Sequence, residues 1–237
     1  MKILILIPTL NEEKNIEILY KKIKKNIKNF NILFIDDNSK DSTRSEIKKL
    51  KKKNPNIFFI FRNKRYGVGS AHKEGLKFAY KKKYKYVITM DADGTHDPKY
   101  INILLNNSKK NNLVATNRFL KKNSLNDWPF NRKLLTTIRY YLINVLLNIS
   151  YDSSGAFRCY DISKISLKDI LKAKHNGYPF FWESIFLLDF KKYSIYEISI
   201  KLPFRKVGSS KMRIRDIFNS LLYLFYYFFK KIFKNIK

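Results

Sequence analysis

Cysteine, glycine and acidic residues are all scarce in this chain of 237 residues, and each scarcity narrows what the protein can be. Cys159 is the only cysteine, so an intrachain disulfide is excluded and a reducing compartment fits best. Only 7 glycines are present, and Gly67-Val68-Gly69 lacks the third glycine of the dinucleotide-binding fingerprint, which excludes that fingerprint. Hydrophobic residues make up 45% of the chain, which suffices for one large α/β domain and excludes wholesale disorder.

Long apolar runs are also missing. No segment reaches the roughly 20 apolar residues that a membrane-spanning helix needs. The nearest one, 217–229, contains Asn219 and Ser220 and runs into Lys230-Lys231. The amino terminus leads directly into a predicted strand that ends at Pro8, so we expect no signal peptide.

Acidic residues are outnumbered, with 49 Lys and Arg against 19 Asp and Glu and a formal net charge of +30. An excess of this size could serve nucleic acid, an anionic membrane surface or phosphorylated ligands. The lysines are scattered in pairs and triplets over predicted helix faces. We therefore interpret much of the charge as compositional drift.

Strands and helices alternate along the first 117 residues. Strands are predicted at 2–7, 31–35, 57–61, 85–90 and 113–116, and helices at 12–28, 42–53, 68–83 and 98–110. Beyond them the sequence predicts helices at 130–149, 163–173, 180–191 and 213–236, with strands at 156–160 and 194–201. This pattern predicts an α/β fold with a mostly parallel sheet flanked by helices. We expect one domain over 1–212 and an amphipathic C-terminal helix within 213–237.

The most informative motif is Asp91-Ala92-Asp93, which directly follows the apolar run 86–90. A strand over that run carries both carboxylates to the edge where open α/β sheets bind their ligands. Two carboxylates at i and i+2 can hold a divalent cation, which in turn neutralises a diphosphate. The alternative is an Asp-rich turn before a helix that starts at Asp97-Pro98.

Three further polar clusters follow predicted strands, at 8–12, 36–39 and 67–71. Taken singly, each fits a helix start or a turn. Four such clusters on one edge of one sheet instead indicate a nucleotide-sugar pocket, which needs backbone amides, a base-reading carboxylate and a metal site.

The segments PTLNEE, IDDNSKDST, GVGSA and MDADGTHDP, in this order and spacing, resemble glycosyltransferase family 2, whose members have the GT-A fold for nucleotide-diphosphosugars. In the second half DWPFNRKLLT (127–136), DSSGAF (152–157) and RKVGSSK (205–211) are similar to its dolichol-phosphate mannose synthase branch. The resemblance covers about residues 1–212. It implies inverting transfer of a hexose, foremost mannose from GDP-mannose, to dolichyl or polyprenyl phosphate.

The resemblance also implies a donor site. Its nucleotide-sugar-binding residues would be Pro8, Leu10, Glu12, Ile35, Asp37, Asp91, Ala92, Asp93, Arg205 and Lys211. Within this set Asp37 would read the base edge, while Arg205 and Lys211 would close over the diphosphate. The implied cofactor is Mg²⁺ or Mn²⁺ held by Asp93, with Thr95 standing where the synthases commonly have a metal-binding Gln.

The implied catalytic residues are Asp91, Asp93, Arg118 and Arg132. Arg118 would lie near the phosphates and Arg132 would face the acceptor phosphate. An acceptor that is already an anion needs no strong general base, so positioning by guanidinium groups suffices. For a neutral hydroxyl acceptor Glu183 could be an acid or base, although we expect it to orient the acceptor-site helix. We expect His96 to shape its loop.

The C-terminal helix combines a broad apolar face with terminal lysines. The apolar residues are Leu221, Leu222, Leu224, Phe225, Phe228, Phe229, Ile232 and Phe233, and the lysines are Lys230, Lys231, Lys234 and Lys237. Such a helix suits a membrane interface, which we expect to be the cytoplasmic face of a membrane that holds the lipid acceptor. The alternative is packing on the catalytic domain or on a second copy.

Two other functions remain open. One is a family 2 transferase that uses a UDP-sugar donor or a glycan hydroxyl acceptor. The other is a basic nucleic-acid-binding protein, suggested by the charge and the interleaved Tyr and Phe. That reading leaves the four clusters unexplained, so we expect no nucleic-acid partner.

Overall fold

The computed structural model describes residues 2–205, 211 and 214–233. Seven strands within these residues form one sheet in the order β3-β2-β1-β4-β6-β5-β7. The strands are β1 (Ile3–Thr9), β2 (Phe30–Asp36), β3 (Ile57–Phe61), β4 (Tyr86–Thr89), β5 (Leu113–Asn117), β6 (Arg158–Asp161) and β7 (Ile195–Ser199).

Helices cover the sheet at the positions that the sequence predicts. They are α1 (Glu13–Asn26), α2 (Thr43–Lys53), α3 (Val68–Lys81), α4 (Ile101–Ser108, after a 3-10 turn at Pro98–Tyr100), α5 (Phe130–Leu147), α6 (Leu167–Ile170), α7 (Pro179–Phe190) and α8 (Ile214–Ile232). The prediction for 163–173 is wrong in length, because α6 is a single turn. Asp161 accepts hydrogen bonds from the backbone N–H and hydroxyl of Ser163, which favours a turn there over a helix.

The sheet is mostly parallel, as predicted, with one exception that matters for the site. β1 runs parallel to β2 and β4, and β5 runs parallel to β7, whereas β6 is antiparallel to both β4 and β5. The amino end of an antiparallel strand lies beside the carboxyl ends of its neighbours. The segment 152–157, which precedes β6, therefore reaches the edge where β4 and β5 end.

Hydrophobic cores lie on both faces of the sheet, and residues of β1 alternate between them. Leu4 and Leu6 belong to one core, and Ile3, Ile5 and Ile7 belong to the other. A sheet buried on both faces needs nearly continuous apolar strands, as ILILIP provides. The rigid sheet leaves its carboxyl edge as the place for polar side chains.

The C-terminal helix α8 packs against α5 and α7. Leu224 and Tyr227 are buried in this contact, and Trp182 of α7 meets the rings of Tyr223 and Tyr227 at 5.6 and 5.5 Å between centroids. One face of α8 is therefore part of the packed structure. Among the described residues, no helix combines the length and apolar character that crossing a bilayer requires.

Candidate functional site

A cleft of about 1070 Å³ opens at the carboxyl edge of the sheet. It brings together almost all of the residues that the sequence singles out. Its lining includes Pro8, Leu10, Glu12, Asp37, Asp91, Ala92, Asp93, Thr95, Arg118, Arg132, Arg205 and Lys211. The middle of the segment RKVGSSK, 206–210, lies outside the described residues.

Ile35 is the exception among the predicted donor-site residues. Its side chain is fully buried in the core with Leu6 and Leu33, and it does not contribute to the lining of the cleft. It pairs with Pro8 across β1 and β2, one residue before the strand ends at Asp36. The expectation for Ile35 is therefore corrected: its role is to support the sheet edge from below.

The turn that carries the acidic pair is closed by His96. The backbone N–H of Asp91 donates to Nδ1 of His96 at 2.9 Å, and the imidazole stacks on Phe157 with 5.0 Å between centroids. Because Nδ1 accepts this hydrogen bond, a neutral ring carries its proton on Nε2. His96 thus shapes the loop, as expected from the sequence. Burial in the cleft, together with repulsion from Asp93 and Glu12, raises the pKa of Asp91.

Asp93 is oriented by the residue that follows Gly94. Oδ1 of Asp93 accepts from the backbone N–H of Thr95 at 3.0 Å and from its hydroxyl at 2.6 Å. Gly94 has a φ of +76°, a left-handed conformation that glycine adopts without strain. Oδ2 of Asp93 lies 3.8 Å from Nε of Arg205, which also pairs with Glu12. Arg205 therefore spans two carboxylates at this end of the cleft.

The side chains around Asp91 and Asp93 supply part of the ligand set that a divalent cation needs. Within 2–205, 211 and 214–233, no three His, Cys, Asp or Glu side chains converge as a complete metal site. Two carboxylates suit a hard cation that takes its remaining ligands from phosphate oxygens and water. The hydroxyl of Thr95 supports Asp93 here, and its role as a ligand stays a prediction.

Asp37 holds the turn that starts α3. Its carboxylate accepts from the backbone N–H groups of Tyr66 and Gly67, both at 2.8 Å, and pairs with Arg62 at 3.0 Å. Gly67 has a φ of +96°, and a Cβ there would lie 2.4 Å from the carbonyl oxygen of Asn176. An ionised carboxylate has about four acceptor positions, so one remains beyond these three bonds. Base reading by Asp37 stays a prediction.

The cleft lining also contains Arg118 and Arg132, which we call the guanidinium end. Arg118 follows β5 and forms a two-pronged pair with Asp152, at 2.7 Å from Nε and 2.6 Å from Nη2. Asp152 in turn donates its backbone N–H to Glu197 of β7 at 2.7 Å. Burial raises the pKa of Glu197 to about 7. The antiparallel β6 makes this arrangement possible, because it brings Asp152 to the end of β5.

Arg132 lies at the mouth of the same end. Its guanidinium stacks over Trp128 at 4.3 Å and over Phe204 at 5.3 Å from the ring centroids. Aromatic stacking holds a guanidinium in place while its N–H groups remain available to a ligand. Arg132 is exposed, and the two stacking contacts give it a defined position in the cleft lining.

Arg139 is a cleft residue that the sequence did not single out. Its Nη2 donates to Ser154 Oγ at 3.2 Å, and the same oxygen accepts from Nη2 of Arg118 at 2.5 Å. The spacing to Arg132 was the available signal, since residues seven apart share one face of a helix. Asp152 was likewise missed as a partner, because its pairing with Arg118 depends on the order of the strands.

Glu183 is 1% exposed and does not line the cleft. Its carboxylate accepts from the backbone N–H groups of Lys174 and His175, both at 3.0 Å, and from the hydroxyl of Tyr223 at 2.9 Å. Glu183 therefore joins α7, the loop at 174–175 and α8. The geometry supports an orienting role rather than that of an acid or base.

α5 and α8 expose large apolar side chains next to the cleft. On α5 these are Phe130, Leu134, Leu135, Ile138, Tyr141 and Val145, and on α8 they are Ile217, Phe218, Leu221, Leu222, Phe225, Tyr226, Phe229 and Ile232. Ile138 and Leu221 line the cleft itself. Lys230 and Lys231 end the helix, whereas Lys234 and Lys237 lie outside the described residues.

Comparisons with known proteins show which chains this one is similar to. A family model described as glycosyl transferase family 2 matches residues 4–191. The chain is 25% identical over 213 residues to an undecaprenyl-phosphate mannosyltransferase of Micrococcus luteus, covering 90% of this chain and 88% of that protein. It is 26% identical over 212 residues to a polyprenol monophosphomannose synthase of Mycolicibacterium smegmatis, covering 88% of this chain and 80% of that protein.

Among solved structures, the chain is similar to glucosyl-3-phosphoglycerate synthase from Mycobacterium tuberculosis in complex with phosphoglyceric acid. The TM-score is 0.64 at 17% identity, and the match covers 94% of this chain and 79% of that one. Other structures of that synthase contain UDP with Mn²⁺ or with Mg²⁺. The similarity concerns the fold, and together with the family match it confirms the expected GT-A architecture.

Proposed function

The chain belongs to glycosyl transferase family 2 and is a glycosyltransferase, and from this premise we propose that it transfers a hexose to a polyprenyl or dolichyl phosphate with inversion at the anomeric carbon. The proposal rests on one observation: the same cleft is lined by carboxylates, Asp91 and Asp93 (the carboxylate end), and by guanidinium groups, Arg118 and Arg132. The favoured donor is GDP-mannose, because both curated relatives are named for mannose transfer or synthesis of a phosphomannose.

The carboxylate end is the donor site. A bound Mg²⁺ or Mn²⁺, held by Asp91 and Asp93, would neutralise the diphosphate and make it a better leaving group. Arg205 already lies beside Asp93, so phosphate oxygens entering here would meet its guanidinium. Lys211 lines the same cleft and adds positive charge. These two cations would stabilise the charge that develops on the departing nucleoside diphosphate.

The guanidinium end is the acceptor site. A phosphate oxygen of the lipid is itself the nucleophile, so the protein has to hold and aim it rather than deprotonate it. Arg132, held by Trp128, has the fork geometry that matches phosphate. Arg118 uses its Nε and Nη2 for Asp152 and would offer the N–H groups of Nη1. The position of Glu183 outside the cleft lining supports a mechanism without a general base there.

The exposed apolar faces of α5 and α8 are the membrane-contacting surface in this proposal. Full burial of a Phe or Leu side chain contributes about 1.5–3 kcal/mol, and interfacial burial contributes less. Lys230 and Lys231 would add about 1 kcal/mol each near anionic lipid. The enzyme would thus lie on the cytoplasmic face of the membrane, with the cleft beside the lipid headgroups.

The test is an assay of GDP-mannose, UDP-glucose and other nucleotide sugars with a short-chain polyprenyl phosphate, with and without Mg²⁺ or Mn²⁺. We expect sugar transfer to the lipid phosphate only when the metal is present. Transfer to a glycan hydroxyl in place of the lipid phosphate would overturn the proposed acceptor. Preference for a UDP-sugar would overturn the proposed donor alone.

A further inference from the structure

Arg139 is a half-buried cation of the cleft lining that forms no ion pair among the described residues. Among the described residues its guanidinium makes one hydrogen bond, to Ser154, and no ion pair, and its Nε is buried without any partner. A buried donor without an acceptor is costly. A side chain of this kind needs an explanation outside the packing of the fold.

Neighbouring charges make the imbalance larger. Burial, together with repulsion from Arg118 and Arg132, lowers the pKa of Arg139 to about 10, so the side chain is still protonated at neutral pH. The nearest carboxylate, Asp152, already forms the two-pronged pair with Arg118. Ser154 Oγ accepts hydrogen bonds from both Arg118 and Arg139, so these two positively charged guanidinium groups lie side by side.

We propose that Arg139 binds the phosphate of the acceptor, and that Arg118, Arg132 and Arg139 together form a site for a dianionic phosphate monoester. This inference rests on the proposed function, because it concerns the same acceptor. Arg118, Arg132 and Arg139 carry three positive charges, and Asp152, paired with Arg118, carries one negative charge. The net charge of these four side chains is therefore +2. A phosphate monoester carries close to two negative charges at neutral pH, since its second pKa is about 6.

The surroundings of Arg139 indicate what carries the phosphate. Leu142 and Ile143, on the next turn of α5, line the cleft together with Leu221 and Leu224 of α8. These four side chains offer no hydrogen bonds to sugar hydroxyls. A phosphate on a hydrocarbon chain fits them, whereas a sugar phosphate would leave its hydroxyls unpaired.

The experiment compares the wild type with Arg139→Met, Arg139→Lys and the control Lys133→Met, which removes an exposed charge from the same helix. The probes are a short-chain polyprenyl phosphate, inorganic phosphate and the nucleotide sugar. For Arg139→Met we expect the dissociation constant of the lipid phosphate to be at least tenfold higher and its KM to be higher as well. The KM of the nucleotide-sugar donor should stay within twofold of the wild-type value. Arg139→Lys should recover part of the loss.

Thermal stability separates binding from a structural role. Without ligand, Arg139→Met should melt at or above the temperature of the wild type, because it removes a cation that has no ion pair and is repelled by Arg118 and Arg132. It should also lose the stabilisation that inorganic phosphate gives the wild type, which should grow from pH 5.5 to pH 7.5 as the dianion forms. A lower melting temperature with equal losses for donor and acceptor would mean that Arg139 is structural.

The failure of this inference can be told apart from that of the proposed function. If the wild type does not glycosylate the lipid phosphate, the proposed function is wrong, and direct phosphate binding still decides the role of Arg139. If the wild type is active and Arg139→Met binds the lipid phosphate as tightly, only the inference about Arg139 is overturned.

Discussion

The two ends of the cleft differ in how far the protein satisfies its own charges. At the donor end Asp93 accepts two hydrogen bonds from Thr95, and Asp37 accepts two from backbone N–H groups as well as pairing with Arg62. At the acceptor end Arg139 keeps a buried Nε without a partner, and α5 and α8 expose apolar side chains. The proposed donor end is thus organised by hydrogen bonds within the protein, whereas we expect the proposed acceptor end to be completed by its ligand and by the surface around it.

The largest effect should come from removing charge at the organised end. Asp93→Asn should lower kcat by at least 10²-fold, the usual loss for a group that stabilises transition-state charge. Asparagine can still accept the hydrogen bonds from Thr95, so the melting temperature should hardly change. The matched control is Asp97→Asn, in the exposed cap of the following turn. Normal turnover of Asp93→Asn at saturating metal would remove Asp93 from the mechanism.

A smaller and more selective effect is expected at the acceptor end. Arg132→Ala should raise the KM of the acceptor phosphate about 10- to 100-fold, as expected when a charge-assisted hydrogen bond worth about 1.5–3 kcal/mol is lost. The KM of the nucleotide sugar should stay unchanged. Lys133→Ala, the neighbouring exposed cation, is the control. If donor affinity falls instead, the division of the cleft into two ends is wrong.

The apolar surface can be tested without disturbing the packed face of α8. Phe218, Leu222 and Phe225 are exposed, whereas Leu224 and Tyr227 are buried, so truncating the helix would also remove core contacts. Replacing the three exposed residues by Glu should release the protein from anionic vesicles and leave its unfolding temperature nearly unchanged. Transfer to a soluble short-chain acceptor should survive, while transfer to membrane-embedded polyprenyl phosphate should fall.

The control for that experiment introduces the same charge elsewhere. Ser45, Ile103 and Asn106 are exposed on α2 and α4, and their replacement by Glu changes the net charge by the same amount. This variant should stay on the vesicles. Equal release of both variants would mean that total charge, not the apolar surface, holds the protein on the membrane. Retention of both would mean that the apolar face of α8 does not bind lipid.

The two ends also differ in how well the sequence predicts them. The donor end consists of short segments that follow β1, β2 and β4, and local strand patterns were enough to predict that these segments meet at one edge. The acceptor end depends on contacts between distant residues, such as Arg118 with Asp152. The order β4-β6-β5 creates that contact, and no local periodicity encodes the order of strands.

The sequence-based predictions were wrong for Ile35 and missed Arg139, and both errors also arise from packing that a local pattern does not encode. Ile35 belongs to a donor-site motif by sequence, yet it lies in the core, because the strand continues past it to Asp36 before the chain reaches the edge. Arg139 has no motif of its own, and only its position on the same helix face as Arg132 links it to the cleft. The unpartnered Nε of Arg139 is visible only once α5 lies beside the segment that precedes β6.

The smallest expected effect concerns Glu197, which supports Asp152 and through it Arg118. Burial raises the pKa of Glu197 to about 7, above its value of 4.5 in the unfolded chain. Between these two values the folded protein binds more protons than the unfolded one, so this group's contribution is full below about pH 4.5 and is lost as the pH rises towards 7. The slope of the free energy of unfolding against pH is at most about 1.4 kcal/mol per pH unit.

Denaturant unfolding at pH 5.5 and pH 8 tests this role of Glu197. The free energy of unfolding of the wild type should decrease by up to about 2 kcal/mol between the two pH values, and that of Glu197→Gln should decrease by less. The control Asp127→Asn, at an exposed carboxylate, should keep the wild-type slope. An equal slope in Glu197→Gln would mean that Glu197 is ionised throughout this pH range and that Asp152 is held by a charged partner.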